Sequence, residues 1–79
     1  MPEQKTPNRI LIIMDIVTIA ASDELSELRL TDLIGRKGKV IEVLYKKDGT
    51  TVRGAWLELL GEPYLNEQEW YIPSKSIVK

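Results

Sequence analysis

Gly38 to Leu60 reads G-K-V-I-E-V-L-Y-K-K-D-G-T-T-V-R-G-A-W-L-E-L-L. Two β-branched and aliphatic runs flank Asp48-Gly49, a pair that favours a tight type I′ hairpin because both central residues of that turn need positive φ. A strand is therefore expected from Lys39 to Lys47, opened by Gly38, and a returning strand from Thr50 to Leu60. On the returning strand Ala55, Leu57 and Leu59 fall on one face, with Arg53 continuing that row at the open end. Trp56 and Glu58 fall on the other, as a period of two requires.

Outward from this hairpin the remaining pieces are short. Ile10 to Ala20 is rich in isoleucine and favours a first strand over a helix, with Asp15 at a bend or bulge or facing solvent. Ser22-Asp23-Glu24-Leu25 has the composition of a helix start, so a single turn is expected there with Leu25 and Leu28 on one face. Thr31-Asp32-Leu33-Ile34, closed by Gly35, reads as another short turn that sends Leu33 and Ile34 into the core. After the break at Gly61-Glu62-Pro63, Glu67 to Ile72 reads as a fourth strand with Trp70 and Ile72 on one face and Glu69 and Tyr71 on the other. Pro73 ends its ladder because it lacks an amide proton. Pro73-Ser74-Lys75-Ser76 suits a 3₁₀ turn, and Ile77-Val78 a last strand. Met1 to Asn8 reads as a loose leader before a single domain over residues 9–79.

The fold expected from this order is all-β: a small half-open SH3-like barrel of about five strands, with a long loop after the first strand and a terminal 3₁₀ turn. Curling the sheet hides edge strands and lets a short chain build one core. An OB-like barrel is the main competitor, but it carries a helix before its fourth strand, and nothing after Leu60 supplies one.

Composition narrows function mostly by exclusion. With 79 residues, no cysteine and no histidine, the chain has neither disulfides nor the common zinc, iron–sulfur and haem ligand sets, and no cofactor is expected. The same absence removes the usual general base and the strongest neutral-pH nucleophile, so an enzyme is not expected. The run I-L-I-I-M-D-I-V-T-I-A-A is interrupted by Asp15 and falls short of the roughly 20 apolar residues a membrane helix needs. No secretory signal stands out, and a soluble, cytoplasmic protein is the default expectation.

Charge is nearly balanced overall, at net −1, yet it is segregated. Residues 29–53 carry seven basic and three acidic groups, net +4, between two acidic flanks. Lys37, Lys39, Lys46, Lys47 and Arg53, with Arg36, could contact phosphates along the hairpin, or could simply be a solvated face whose lysines guard a sheet edge. Only Tyr45 interleaves with them as a base-stacking surface. Trp56, Tyr64 and Tyr71 are the candidate protein-contact aromatics, whereas Trp70 is assigned to the core with Ile72, since a core without phenylalanine needs a large aromatic. Asp23, Glu24, Glu27 and Asp32 lack the alternating register of a cation loop and read as a solvated surface.

Two resemblances sharpen the fold. G-R-K-G-K-V-I-E-V, Gly35 to Val43, resembles the KOW-type hairpin of ribosomal and transcription-elongation barrels, in which a glycine opens a strand and valines two and five positions later enter the core; Gly38, Val40 and Val43 keep that spacing. W-Y-I-P-S-K-S-I-V, Trp70 to Val78, resembles the ending of peptide-binding SH3 domains, and Asp23-Glu24-Leu25-Ser26 stands where those domains carry an acidic specificity loop. Ser76 occupies the place of a groove tyrosine, and the alanine-leucine-tyrosine-aspartate-tyrosine opening and paired tryptophans are missing. The resemblance thus implies a barrel of the small prokaryotic, bacterial kind without the proline-peptide groove. The leading expectation is a non-enzymatic module for protein interaction or assembly with an unidentified protein partner. RNA or DNA binding through the basic hairpin is the alternative, and a monomer or weak homo-oligomer is expected.

Overall fold

The computed structural model describes residues 11–79; the expected leader, Arg9 and Ile10 lie outside the described residues. The order of elements is β1 (Ile16–Ile19), α1 (Asp23–Glu27), a 3₁₀ turn (Thr31–Leu33), β2 (Lys37–Tyr45), β3 (Val52–Leu59), β4 (Glu69–Pro73), a second 3₁₀ turn (Ser74–Ser76) and β5 (Ile77–Val78). All five strands join one antiparallel sheet in the order β4-β3-β2-β1-β5. β4 and β5 are the two edges of that order and follow one another in the chain through the terminal 3₁₀ turn.

Inward rows from four strands meet on one core. Val17 and Ile19 of β1, Val40 of β2, Ala55, Leu57 and Leu59 of β3 and Ile72 of β4 are all buried, and Leu25, Leu30 and Leu33 from the β1–β2 connection join the same core. The row Ala55-Leu57-Leu59 faces inward as its alternation requires. Arg53 does not continue that row as expected: the register shifts here, with Val52 opposite Tyr45 and Gly54 opposite Leu44, and the exposed Arg53 guanidinium lies over the Tyr71 ring of the other face. The expected spacing of Gly38, Val40 and Val43 contains an odd step that a regular strand cannot accommodate. A bulge supplies it: Val40 opposes Leu57 and Val43 opposes Ala55, with the register shifting between Val40 and Glu42. Ile41 is the extra residue, and Val43 packs against the core.

The first strand is shorter than its isoleucine content implies. Asp15 accepts a hydrogen bond from the Ile12 amide at 3.2 Å, the Asp15 amide donates to the Ile12 carbonyl at 2.9 Å, and Met14 takes φ 82°. This local turn competes with the strand and leaves Ile12, Ile13 and Met14 exposed, as is Ile16 on the outer face. The two short turns of the β1–β2 connection each bury one aliphatic residue, which corrects the inward placement of Ile34. Leu25 is fully buried but Leu28 is exposed, because α1 ends at Glu27 and presents only one residue to the core. Leu33 is buried while Ile34 is 44% exposed, since the 3₁₀ turn stops between them.

The turns also exchange roles. The β2–β3 loop is no two-residue type I′ turn: Lys46 and Thr51 bracket it through the Lys46 amide and Thr51 carbonyl, 2.8 Å apart. Of its members only Gly49, at φ 75°, lies in the left-handed region. The Asp48 carboxylate accepts from the Thr50 amide, the Thr51 amide and the Thr51 hydroxyl at 2.9, 2.9 and 2.6 Å, which builds an Asx-type loop in place of the tight turn. Two consecutive left-handed residues occur instead at Leu65 (φ 51°) and Asn66 (φ 66°), where Tyr64 and Glu67 exchange both backbone hydrogen bonds.

Candidate interaction surface

The outer face of β2, β3 and β4 carries the most distinctive side chains. Trp56 stands at its centre, directly opposite Glu42 of β2 and Tyr71 of β4. Trp56 is 38% exposed, and its ring meets the Tyr71 ring edge-on at 6.2 Å and 69°. The Tyr71 hydroxyl donates to the Arg53 carbonyl at 3.2 Å, and the Arg53 guanidinium lies 5.7 Å from the centre of the Tyr71 ring. Because each neighbour sits on a paired strand, the aromatic pair is held by the sheet rather than by a loop.

Beside Trp56 is a shallow, open depression of about 240 Å³ lined by Ile41, Glu42, Trp56 and Glu69. The bulge in β2 is what brings Ile41 and Glu42 to it together. Glu58, two residues along β3, pairs with Lys39 at 3.5 Å. Among the described residues Glu42 and Glu69 form no ion pair.

Tyr64 is set apart from this face. Its ring packs against Trp70 at 5.4 Å and against the core, and its hydroxyl donates to Asp32 at 3.0 Å. That bond to a carboxylate holds the phenol above its ordinary pKa. Trp70, assigned to the core, is half-buried at its rim, where its indole N–H donates to the Glu67 carbonyl at 3.0 Å. An indole needs such a partner when it leaves water, and the core's edge is where a carbonyl is available.

The basic residues do not gather into one patch. Lys37 and Lys39 stand at the start of β2, whereas Lys46 and Lys47 lie past its end, roughly 25–30 Å away at the rise of an extended strand. Lys37 donates to the Thr18 hydroxyl at 3.0 Å, Lys39 is occupied by Glu58, and Arg53 lies over Tyr71. Arg36 serves the fold instead, since its guanidinium donates to the carbonyls of Leu60 and Glu62 and so ties the β3–β4 connection down. Lys46 and Lys47 at the hairpin tip are exposed.

What the sequence reading missed is the pairing of Ile41 with Glu42 beside Trp56. The odd spacing between Val40 and Val43 was the available signal. No helix among the described residues is long and apolar enough to cross a membrane, and no group of three metal-ligating side chains occurs among them. No protein-family model matches the chain, and neither a curated protein nor a solved structure matches it.

Proposed function

We propose that the chain is a small SH3-like module for protein interaction or assembly, with the Trp56–Tyr71 face as its contact surface and no catalytic role of its own. The observation that carries this reading is Trp56 itself, a large aromatic left substantially exposed at the centre of a rigid sheet face when the other row of the same strand is fully buried. Tryptophan is among the residues most enriched at binding hot spots, and a sheet holds it in place at little entropic cost. The element order and the Trp70–Val78 ending support the SH3-like assignment.

Site-specific photocrosslinking in the native cell tests this. A chain with Trp56→p-benzoylphenylalanine should give discrete protein adducts that a chain substituted at Ser26, on α1, does not. Equal adduct patterns from both positions, or none from position 56, would remove the Trp56 face from consideration.

A second reading, RNA or DNA contact, rests on Lys46, Lys47 and Arg53 at one end of the β2–β3 hairpin. It predicts salt-sensitive amide shifts confined to that tip on titration with short oligonucleotides at low ionic strength. An unchanged spectrum would sink it.

A further inference from the structure

We infer that the depression beside Trp56 receives a lysine or arginine side chain from an extended, basic segment of the protein partner; this rests on the interaction reading above and specifies its chemistry. The depression combines three elements that suit a long cationic side chain and few others. Trp56 presents part of its indole to solvent, and an aromatic ring face attracts a cation through its quadrupole. Glu42, directly across from Trp56, and Glu69, diagonally across on β4, supply two carboxylates that no cation among the described residues engages. Ile41, displaced to this side by the β2 bulge, offers an apolar wall for the methylene stem.

The neighbouring charges reinforce the choice. Both cations nearby on this face already have partners, Lys39 on Glu58 and Arg53 over Tyr71. Three carboxylates, Glu42, Glu58 and Glu69, stand against the two cations Lys39 and Arg53 around the indole, a net negative balance that opposes phosphate or an acidic peptide and favours a basic one. The depression is shallow, so one cationic side chain with its flanking backbone fits it, and affinity for a short segment is expected in the millimolar range.

The test is a titration of the ¹⁵N-labelled full chain with three capped tetrapeptides, Leu-Arg-Leu-Arg, Leu-Gln-Leu-Gln and Leu-Glu-Leu-Glu, following the Trp56 indole N–H and the amides of Ile41, Glu42 and Glu69. The arginine peptide should shift these signals saturably and the other two should not. The double variant Glu42→Gln, Glu69→Gln, at exposed positions that leave the fold intact, should weaken arginine-peptide binding about tenfold, and Trp56→Ala should abolish the shifts. If the glutamine peptide binds as well, or the double variant binds unchanged, the cationic specificity is wrong while the Trp56 face stays the contact surface. Arginine-peptide shifts confined to Asp23, Glu24, Glu27 and Asp32, or no shifts with any peptide, overturn the inference outright. The interaction reading then stands or falls on the crosslinks from position 56.

Discussion

The hydroxyls of Ser22 and Ser76 lie 2.7 Å apart, joining residues 54 positions distant in the chain. Ser22 is the N-cap of α1, accepting from the Leu25 amide at 3.1 Å, and Ser76 is a fully buried polar residue at the end of the terminal 3₁₀ turn. The Ala20 amide also donates to the Ser76 carbonyl, so the long β1–β2 connection is pinned to the chain's last turn at two points. Ser22→Ala removes the cap and leaves the Ser76 hydroxyl without this partner, and should destabilise by about 2 kcal/mol. Ser76→Ala leaves the cap intact and should cost about 1 kcal/mol. The double variant should lose less than the sum, since the shared bond is counted twice. Urea unfolding of the four proteins checks both values and the shortfall of the double variant.

Trp56 and Leu57 are adjacent in sequence and face opposite ways. Leu57→Ala should destabilise by about 3 kcal/mol through loss of buried surface and the cavity it leaves. Trp56→Ala gives up its edge contact with Tyr71 and part of its area, and should cost about 1 kcal/mol. Denaturant melts compare them directly. A larger loss for Trp56→Ala would mean that the indole supports the fold rather than a partner.

Gly54 is buried where β3 passes beneath Tyr71. A Cβ at that position would stand 2.5 Å from the Tyr71 hydroxyl oxygen and 2.6 Å from the Ile72 carbonyl oxygen. The tyrosine end can swing away, but the carbonyl belongs to the β4 backbone. Gly54→Ala should therefore cost about 1–3 kcal/mol and break the hydrogen bond from Tyr71 to the Arg53 carbonyl. Thermal melts, with the Tyr71 ring signals followed by NMR, provide the readout.

Leu65 occupies a left-handed conformation at 70% exposure, where its size gains little packing. Such a conformation costs a β-carbon residue about 1 kcal/mol, and asparagine tolerates it better. Leu65→Asn should stabilise the protein by about 0.5–1 kcal/mol, measured as a higher urea midpoint at unchanged slope.

Asp48 organises the β2–β3 loop, and the hydrogen bonds from Thr51, with that from the Thr50 amide, hold its carboxyl down at about 2. Because the folded value lies below the ordinary value of 3.8, its contribution is present above that value and is lost as pH falls through about 2. Asp48→Ala should lower the melting temperature at neutral pH, and the gap to the parent chain should close between about pH 4 and pH 2. A gap constant over that window would show that the carboxylate charge plays no part in the loop's stability.

Much of the fold was legible because local patterns and the final sheet agree. The alternation of Ala55, Leu57 and Leu59 against Trp56 and Glu58 marked the inner and outer faces, Ser22 announced α1, and Pro73 marked the end of β4. The isoleucine run misled at its start because the hydrogen bonds between Ile12 and Asp15 form a turn that β propensity does not register. Asp48-Gly49 misled in the opposite sense: the threonine donors at Thr50 and Thr51 offered the carboxylate a longer loop.

The candidate surface divides along the same line. Side-chain alternation, set by the geometry of an extended chain, determined from the sequence alone that Trp56 turns away from the Leu57 row and that Tyr71 turns away from Trp70 and Ile72. Only the tertiary structure decided that Tyr71 stands beside Trp56 while Tyr64 joins Trp70 and Asp32, that the basic residues separate along β2, and that the bulge sets Ile41 and Glu42 next to the indole. Those outcomes depend on cross-strand register and on one residue's shift of pairing. Register is chosen by how the buried rows of four strands fill a common core, and no single segment contains that information.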